Sequence, residues 1–170
     1  MSFVYARVIR FHETDAAGVV YFANLLTLCH EAYEAALAEA GVDLKQFFSS
    51  ARSSGDDSNE KGGIAVPVVH AEADFYRPLF CGNAIAIILM PTQLTLHSFE
   101  IAYQIVAQAD LSADFVKPLA CALTRHVCIN TQTRRRHPLT TELSDWIAAL
   151  SAPTTGPAAE PVAGPAPPRD

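Results

Sequence analysis

FANLLTLCHEAYEAALAEAG, from Phe22 to Gly41, constrains everything around it. It holds no proline and closes on Gly41, the residue type favoured just past a final helical turn, so it predicts a helix over about Phe22–Ala40. Leu25, Leu28, Cys29, Ala32, Ala36 and Ala40 share one apolar stripe, and Leu26, His30, Tyr33 and Leu37 widen it. Asn24, Thr27, Glu31 and Glu34 keep only a narrow polar face. A helix apolar around so much of its circumference must be covered by more than one neighbour. A sheet curling around it meets that demand.

The flanking sequence supplies such a sheet. Phe3 to Phe11 is rich in β-formers, and strand-like runs follow at about Ile64–Tyr76, Ala84–Leu94, Ser98–Gln108 and Leu119–Ile129. In FEIAYQIVAQ, Phe99, Ile101, Tyr103 and Ile105 alternate with Glu100, Ala102, Gln104 and Val106, a strand period in which the second face is only partly polar. Pro78, Gly82 and Pro118 separate the runs. A short helix, about Thr141–Leu150, carries Leu143, Trp146, Ile147 and Leu150 on one side. One strand, one long helix, then strands without helices between them predict an antiparallel α+β domain.

Residues 1–150 therefore read as one domain, and 151–170, rich in Pro, Ala and Gly, as a disordered tail. ARSSGDDSNEKGG, from Ala51 to Gly63, reads as a loop. The chain has 170 residues, half of them apolar, with a formal charge of -6. That sign argues against nucleic-acid binding. The longest uninterrupted apolar run, Ala84–Met90, falls far short of the roughly 20 residues of a membrane helix, so no membrane insertion is expected. Cys29, Cys81, Cys121 and Cys128 form no C-x-x-C pair, and the N-terminus does not read as an export signal, so the expected setting is cytoplasmic.

A search for chemistry finds no G-x-S-x-G elbow, no Gly-rich phosphate loop and no Cys in a catalytic signature. His12, Glu13 and Asp15 crowd together without a second ligand cluster, so no metal and no cofactor are expected. The segment FHETDAAGVVYFANLL, Phe11–Leu26, runs through small residues into the N-terminus of the long helix. Such a terminus offers unpaired N–H groups and a positive dipole end, suited to a developing oxyanion. Asp15 can face the same carbonyl as base or nucleophile, and Gly18 admits close backbone approach. The residues alone allow equally that Asp15 or Thr14 merely caps a turn.

Asp15, Gly18, Val19, Val20, Tyr21, Phe22 and Asn24 match the D-x-x-G-[IV]-V-[YFW]-[FY]-x-N pattern of the 4-hydroxybenzoyl-CoA thioesterase family, which this stretch resembles. VPVVHAEADFYRPLFCGN (Val66–Asn83) is similar to the family strand ending in R-P-[LV]-x-x-G-[DN]. LTRHVCIN leading into RRRHPL is similar to its last strand and exit. The resemblance spans about residues 3–140 in the family order. It implies the hotdog fold, a five-stranded antiparallel sheet around one long helix, acting on acyl-CoA as a homodimer or homotetramer with its active site at the subunit interface.

It further implies that Asp15 is the catalytic carboxylate and that the Phe22 N–H polarises the thioester carbonyl. Tyr21 and Asn24 then line the acyl pocket or hold the loop, and residues around His70 complete the site across the interface. Tyr21, Phe22 and Tyr33 offer aromatic faces to a flat acyl group, or are plain core. The basic cluster that grips CoA phosphates in some relatives is replaced here by Gln93–His97, nearly uncharged. Arg125, or Arg134, Arg135 and Arg136, are the remaining candidates for that grip, although a triple Arg is also ordinary surface. Overall likeness is greatest to family members hydrolysing 1,4-dihydroxy-2-naphthoyl-CoA in phylloquinone biosynthesis. The alternatives are 4-hydroxybenzoyl-CoA or short acyl-CoA esters, a non-catalytic acyl-CoA-binding module, or a dehydratase using His30 with Glu31 or Glu34.

Overall fold

The computed structural model describes residues 2–49, 63–113 and 116–151. The loop expected over 51–63, except Gly63, and the tail expected from residue 152 onward lie outside them. Ser151, assigned above to the tail, is instead the last residue of a helix, its hydroxyl donating to the Pro91 carbonyl at 2.7 Å.

The long helix, α1, spans Phe22–Glu39 and buries Leu25, Leu28, Cys29, Ala32, Tyr33, Ala36 and Leu37. Their three- and four-residue spacing is the stripe read from the sequence. Gly41 ends it at φ +82°. Its N–H donates to Ala38 O and the Val42 N–H to Leu37 O, both at 3.0 Å, which satisfies carbonyls the helix end would otherwise leave unpaired.

Five antiparallel strands form the main sheet: β1 (Phe3–Val8), β3 (Val68–Phe75), β4 (Ala84–Thr95), β5 (Ser98–Ala107) and β6 (Ala120–Val127), in the order β1-β4-β5-β6-β3. Phe99, Ile101, Tyr103 and Ile105 of β5 point to the core, as their alternation predicts. α1 lies on this face, and so does α3 (Thr141–Ser151), whose Leu143, Trp146 and Ile147 are buried. The architecture is α+β with the hotdog arrangement expected from the sequence.

Three local features differ from expectation. The run expected over Ile64–Tyr76 is broken at Val66–Pro67 into β2 (Ile64–Ala65) and β3, because proline has no N–H to continue a ladder. The run over Leu119–Ile129 is likewise divided at Cys128, and β7 (Ile129–Asn130) pairs with β2 in a separate two-stranded sheet. A short helix, α2 (Leu44–Ser49), follows α1; six residues are too few to display a helical period.

Between α1 and the sheet, beside the buried Thr124, lies the buried side chain of His126 of β6. It stacks on Phe99 with ring centroids 4.7 Å apart and 3° between planes. Its Nε2 and the Thr124 hydroxyl share a hydrogen bond of 2.9 Å, and Thr124 meets the Tyr103 hydroxyl at 3.2 Å. Burial pushes the His126 pKa down to about 4, against a partly opposing Val66 carbonyl. Among the described residues, no helix is long and apolar enough to cross a membrane.

Candidate active site

Asp15 sits in a tight excursion between β1 and α1. The chain leaves β1 through a 3-10 turn, Phe11–Glu13, and returns by an antiparallel bridge between Thr14 and Val20. Gly18 makes the reversal at φ +77°, a conformation costly for residues with a Cβ. A second bridge, Val19 to Phe80, and a bond from Val20 N–H to Leu79 O at 2.8 Å tie the excursion to the segment after β3.

The carboxylate of Asp15 serves this turn and remains available. Its Oδ1 accepts from the Ala17 N–H at 2.8 Å and from the Val19 N–H at 3.4 Å. Among the described residues no donor reaches Oδ2, and the side chain is exposed. The turn-holding and catalytic readings are therefore compatible, one oxygen for each.

Asp15 lines a cleft of about 490 Å³ with Val19, Val20, Tyr21, Phe22 and, from the opposite wall, Phe75 to Leu79. That volume lies within the range usual for small-molecule sites. Four of the lining residues, Tyr21, Phe22, Phe75 and Tyr76, are aromatic, and each is largely exposed within the chain. Tyr21 and Phe22 stand 4.6 Å apart between ring centroids. Phe22 is also the first residue of α1, and no side chain caps that end. The first N–H groups of a helix have no partner within it, so α1 presents donors beside the Asp15 carboxylate.

The other expected residues divide. Asn24 holds the loop: its Nδ2 donates to the Glu13 carbonyl at 2.9 Å. Tyr33 belongs to the core, packed among Phe99, His126 and Trp146 at 1 % exposure, and does not line the cleft. Helical spacing alone could not tell these two burials apart. His70 lies on the exposed edge strand β3, pairing with Glu72 at 3.3 Å, and is not a cleft residue of its own chain. Arg125 is held by Glu100 at 2.8 Å. Arg134, at φ 58°, borders a separate groove by β2 and β7, and Arg135 and Arg136 continue that loop. None of the four arginines lines the cleft.

Sequence reasoning overlooked Arg77, whose signal was the R-P-L motif itself. It is the one cation among the cleft residues, with its guanidinium donating to the Lys117 carbonyl at 2.8 Å. His30 and Glu34, the dehydratase candidates, pair at 3.6 Å on the exposed face of α1, apart from Asp15. Burial raises the Cys29 thiol pKa to about 12, which keeps it from acting as a thiolate. Among the described residues, no three His, Cys, Asp or Glu side chains converge as a metal site would require.

The Asp15 carboxylate and the uncapped start of α1 line one aromatic cleft, beside a sheet of order β1-β4-β5-β6-β3. Residues 9–147 match the thioesterase-like superfamily, and the chain belongs to it. It is 48 % identical over 143 residues to the 1,4-dihydroxy-2-naphthoyl-CoA hydrolase of Crocosphaera subtropica, covering 84 % of this chain and 93 % of that one. Its identity to the protein of the same name from Synechococcus elongatus is 44 % over 146 residues, covering 86 % and 95 %. Among solved structures, a 1,4-dihydroxy-2-naphthoyl-CoA thioesterase from Synechocystis superposes with a TM-score of 0.74 at 36 % identity, covering 90 % of this chain and all of the other.

Proposed function

We propose that this protein hydrolyses 1,4-dihydroxy-2-naphthoyl-CoA to 1,4-dihydroxy-2-naphthoate and CoA, a step of phylloquinone biosynthesis. The observation that carries the reading is likeness over 84–86 % of the chain to hydrolases named for that substrate, joined to an Asp15 cleft walled by four aromatic side chains. Aromatic walls favour a flat acyl group by stacking and by burial of its faces.

In this reading the thioester carbonyl oxygen accepts from the Phe22 N–H, and the dipole of α1 stabilises the negative charge that develops there. Asp15 Oδ2 attacks the carbonyl carbon, or removes a proton from the water that does. The C–S bond breaks and CoA leaves as a thiolate, which needs little acid assistance. On the nucleophilic route water then attacks the acyl carbon of the Asp15 anhydride and breaks its bond to Oδ2; on the general-base route the attacking water delivers its oxygen directly. Arg77 places a positive charge beside the bound ester.

The acting species is a homodimer or a pair of dimers. β3 is a free sheet edge carrying exposed Val68, Val69 and Phe75, and bare apolar edges invite pairing. Phe75 also lines the cleft, so an edge-to-edge partner would sit against the site. Light scattering on a sizing column should return at least twice the 18.3 kDa chain mass; a monomer at assay concentration would remove this part of the reading. The four cysteines are free thiols, which suits a reducing cytosol.

Thiol release from a panel of acyl-CoAs tests the function: 1,4-dihydroxy-2-naphthoyl-CoA, 4-hydroxybenzoyl-CoA, benzoyl-CoA and butyryl-CoA. The naphthoyl ester is expected to show the highest kcat/KM. Preference for another ester would retain the mechanism and reject the pathway. Binding without thiol release would leave a binding module.

A further inference from the structure

The buried carboxylate two residues before Asp15 has no part in the reaction described above. Glu13 is 7 % exposed and, among the described residues, is the only buried carboxylate. Its Oε2 accepts from the Arg10 N–H at 2.7 Å, while Oε1 pairs with the Arg7 guanidinium. Arg7, itself only 10 % exposed along its side chain, also pairs with Glu31 of α1, and Glu31 accepts from the Tyr5 hydroxyl at 2.8 Å.

The backbone of Glu13 is committed as well. Its carbonyl accepts from the Tyr21 N–H at 3.0 Å and from Asn24 Nδ2 at 2.9 Å. One residue therefore ties together the start of the Asp15 excursion, the end of that excursion and the first turn of α1. Arg7 anchors the same residue to β1 and, through Glu31, to the third turn of the helix. The Asp15 carboxylate and the Phe22 N–H have to meet one carbonyl group from two sides, and only their fixed separation allows it.

We propose that Glu13, clamped by Arg7, is a positioning residue that sets the Asp15 excursion against the N-terminus of α1. The inference rests on the thioesterase reading for its effect on rate, but not for its effect on the loop. A surface ion pair would do little here, since exposed pairs are weak and screened. Glu13 and Arg7 are shielded from water, so neutralising one partner leaves the other's charge buried and unpaired. A misplacement near 1 Å in a reacting group can cost on the order of 100-fold in rate.

The test compares Glu13→Gln with Leu143→Ala, a core variant in α3, an element packed on β4, whose buried side chain does not line the cleft. Glutamine keeps an acceptor for the Arg10 N–H while removing the charge that faces Arg7. Glu13→Gln should lower kcat about 10- to 100-fold with KM changed less than about threefold. It should also speed hydrogen exchange at the Tyr21 amide, measured by NMR. Leu143→Ala should lower the melting temperature while leaving kcat and that exchange rate near wild type. Wild-type kcat and exchange in Glu13→Gln would overturn the proposal. So would losses no greater than those in Leu143→Ala at matched melting temperature. Asp15→Asn, assayed beside them, separates the two ideas. If it is as active as wild type, the catalytic reading fails, and the Tyr21 exchange rate alone decides whether Glu13 holds the loop.

Discussion

Asp15→Asn is expected to lower kcat for the naphthoyl ester about 100- to 10,000-fold, the range typical for loss of a proton-transfer group. The fold should survive, because the turn uses the carboxylate only as an acceptor. The amide oxygen of asparagine can still accept from the Ala17 and Val19 N–H groups that now meet Oδ1 at 2.8 and 3.4 Å. What asparagine lacks is the negative charge and basicity of Oδ2. KM should therefore move little while kcat collapses, the pattern of an interaction made in the transition state. Steady-state thiol release, with circular dichroism to verify the fold, measures both. Turnover within about threefold of wild type would remove Asp15 from the chemistry, and the aromatic cleft would then be a binding site served by another group.

The second large effect concerns stability in acid. The His126 pKa is pushed down to about 4 in the folded protein, from 6.5 for the free side chain, because burial penalises its charged form. Between these values the unfolded chain binds a proton that the folded chain rejects. Stability therefore rises with pH across this window and is lost as pH falls from about 6.5 toward 4. The full gap corresponds to about 3 kcal/mol. The groups facing the ring offer no compensating anion: Tyr33 and Phe99 pack on it, Thr124 bonds it, and His30 disfavours its charge. Urea unfolding at pH 7, 6, 5 and 4.5 should show this slope in wild type and a flatter one in His126→Gln. That variant should also be less stable at pH 7, since it gives up the stacking on Phe99. Equal slopes in the two proteins would mean that carboxylates elsewhere, and not His126, govern the acid limb.

Both expectations depend on features of very different legibility. The D-x-x-G spacing singles out Asp15, and its path into a helix start can be read along the chain, because all of it is local. The dual use of the carboxylate cannot be read that way. Whether Oδ2 is free depends on how the chain folds back between Thr14 and Val20. Nothing in the sequence sets His126 apart as core and not surface; in β6 it faces inward, where the ring of Phe99 above it and α1 beside it remove it from water.

The same contrast separates Asn24, Tyr33 and Arg77. Asn24 and Tyr33 sit on one helix, and both were candidates to touch substrate. Asn24 turns to the loop that precedes α1, and Tyr33 turns to the sheet and α3. Arg77 lies far from Asp15 along the chain and enters the cleft because the Val19–Phe80 bridge and the Val20 N–H bond to Leu79 O tie the excursion to the segment after β3.

By itself, the sequence determined what short-range physics controls: the length and buried stripe of α1, its glycine end, the alternation of β5, and an acidic residue poised before a helix N-terminus. Each follows from residue spacing, which reports the face on which a side chain lies. The tertiary structure alone decided which side chains share that face's neighbourhood. The order β1-β4-β5-β6-β3, the Phe75–Leu79 wall opposite Asp15, the core position of Tyr33 and the Arg7–Glu13–Glu31 clamp all join segments distant in sequence. Periodicity carries no information on such pairings, because a residue facing a cleft and one facing the core obey the same spacing.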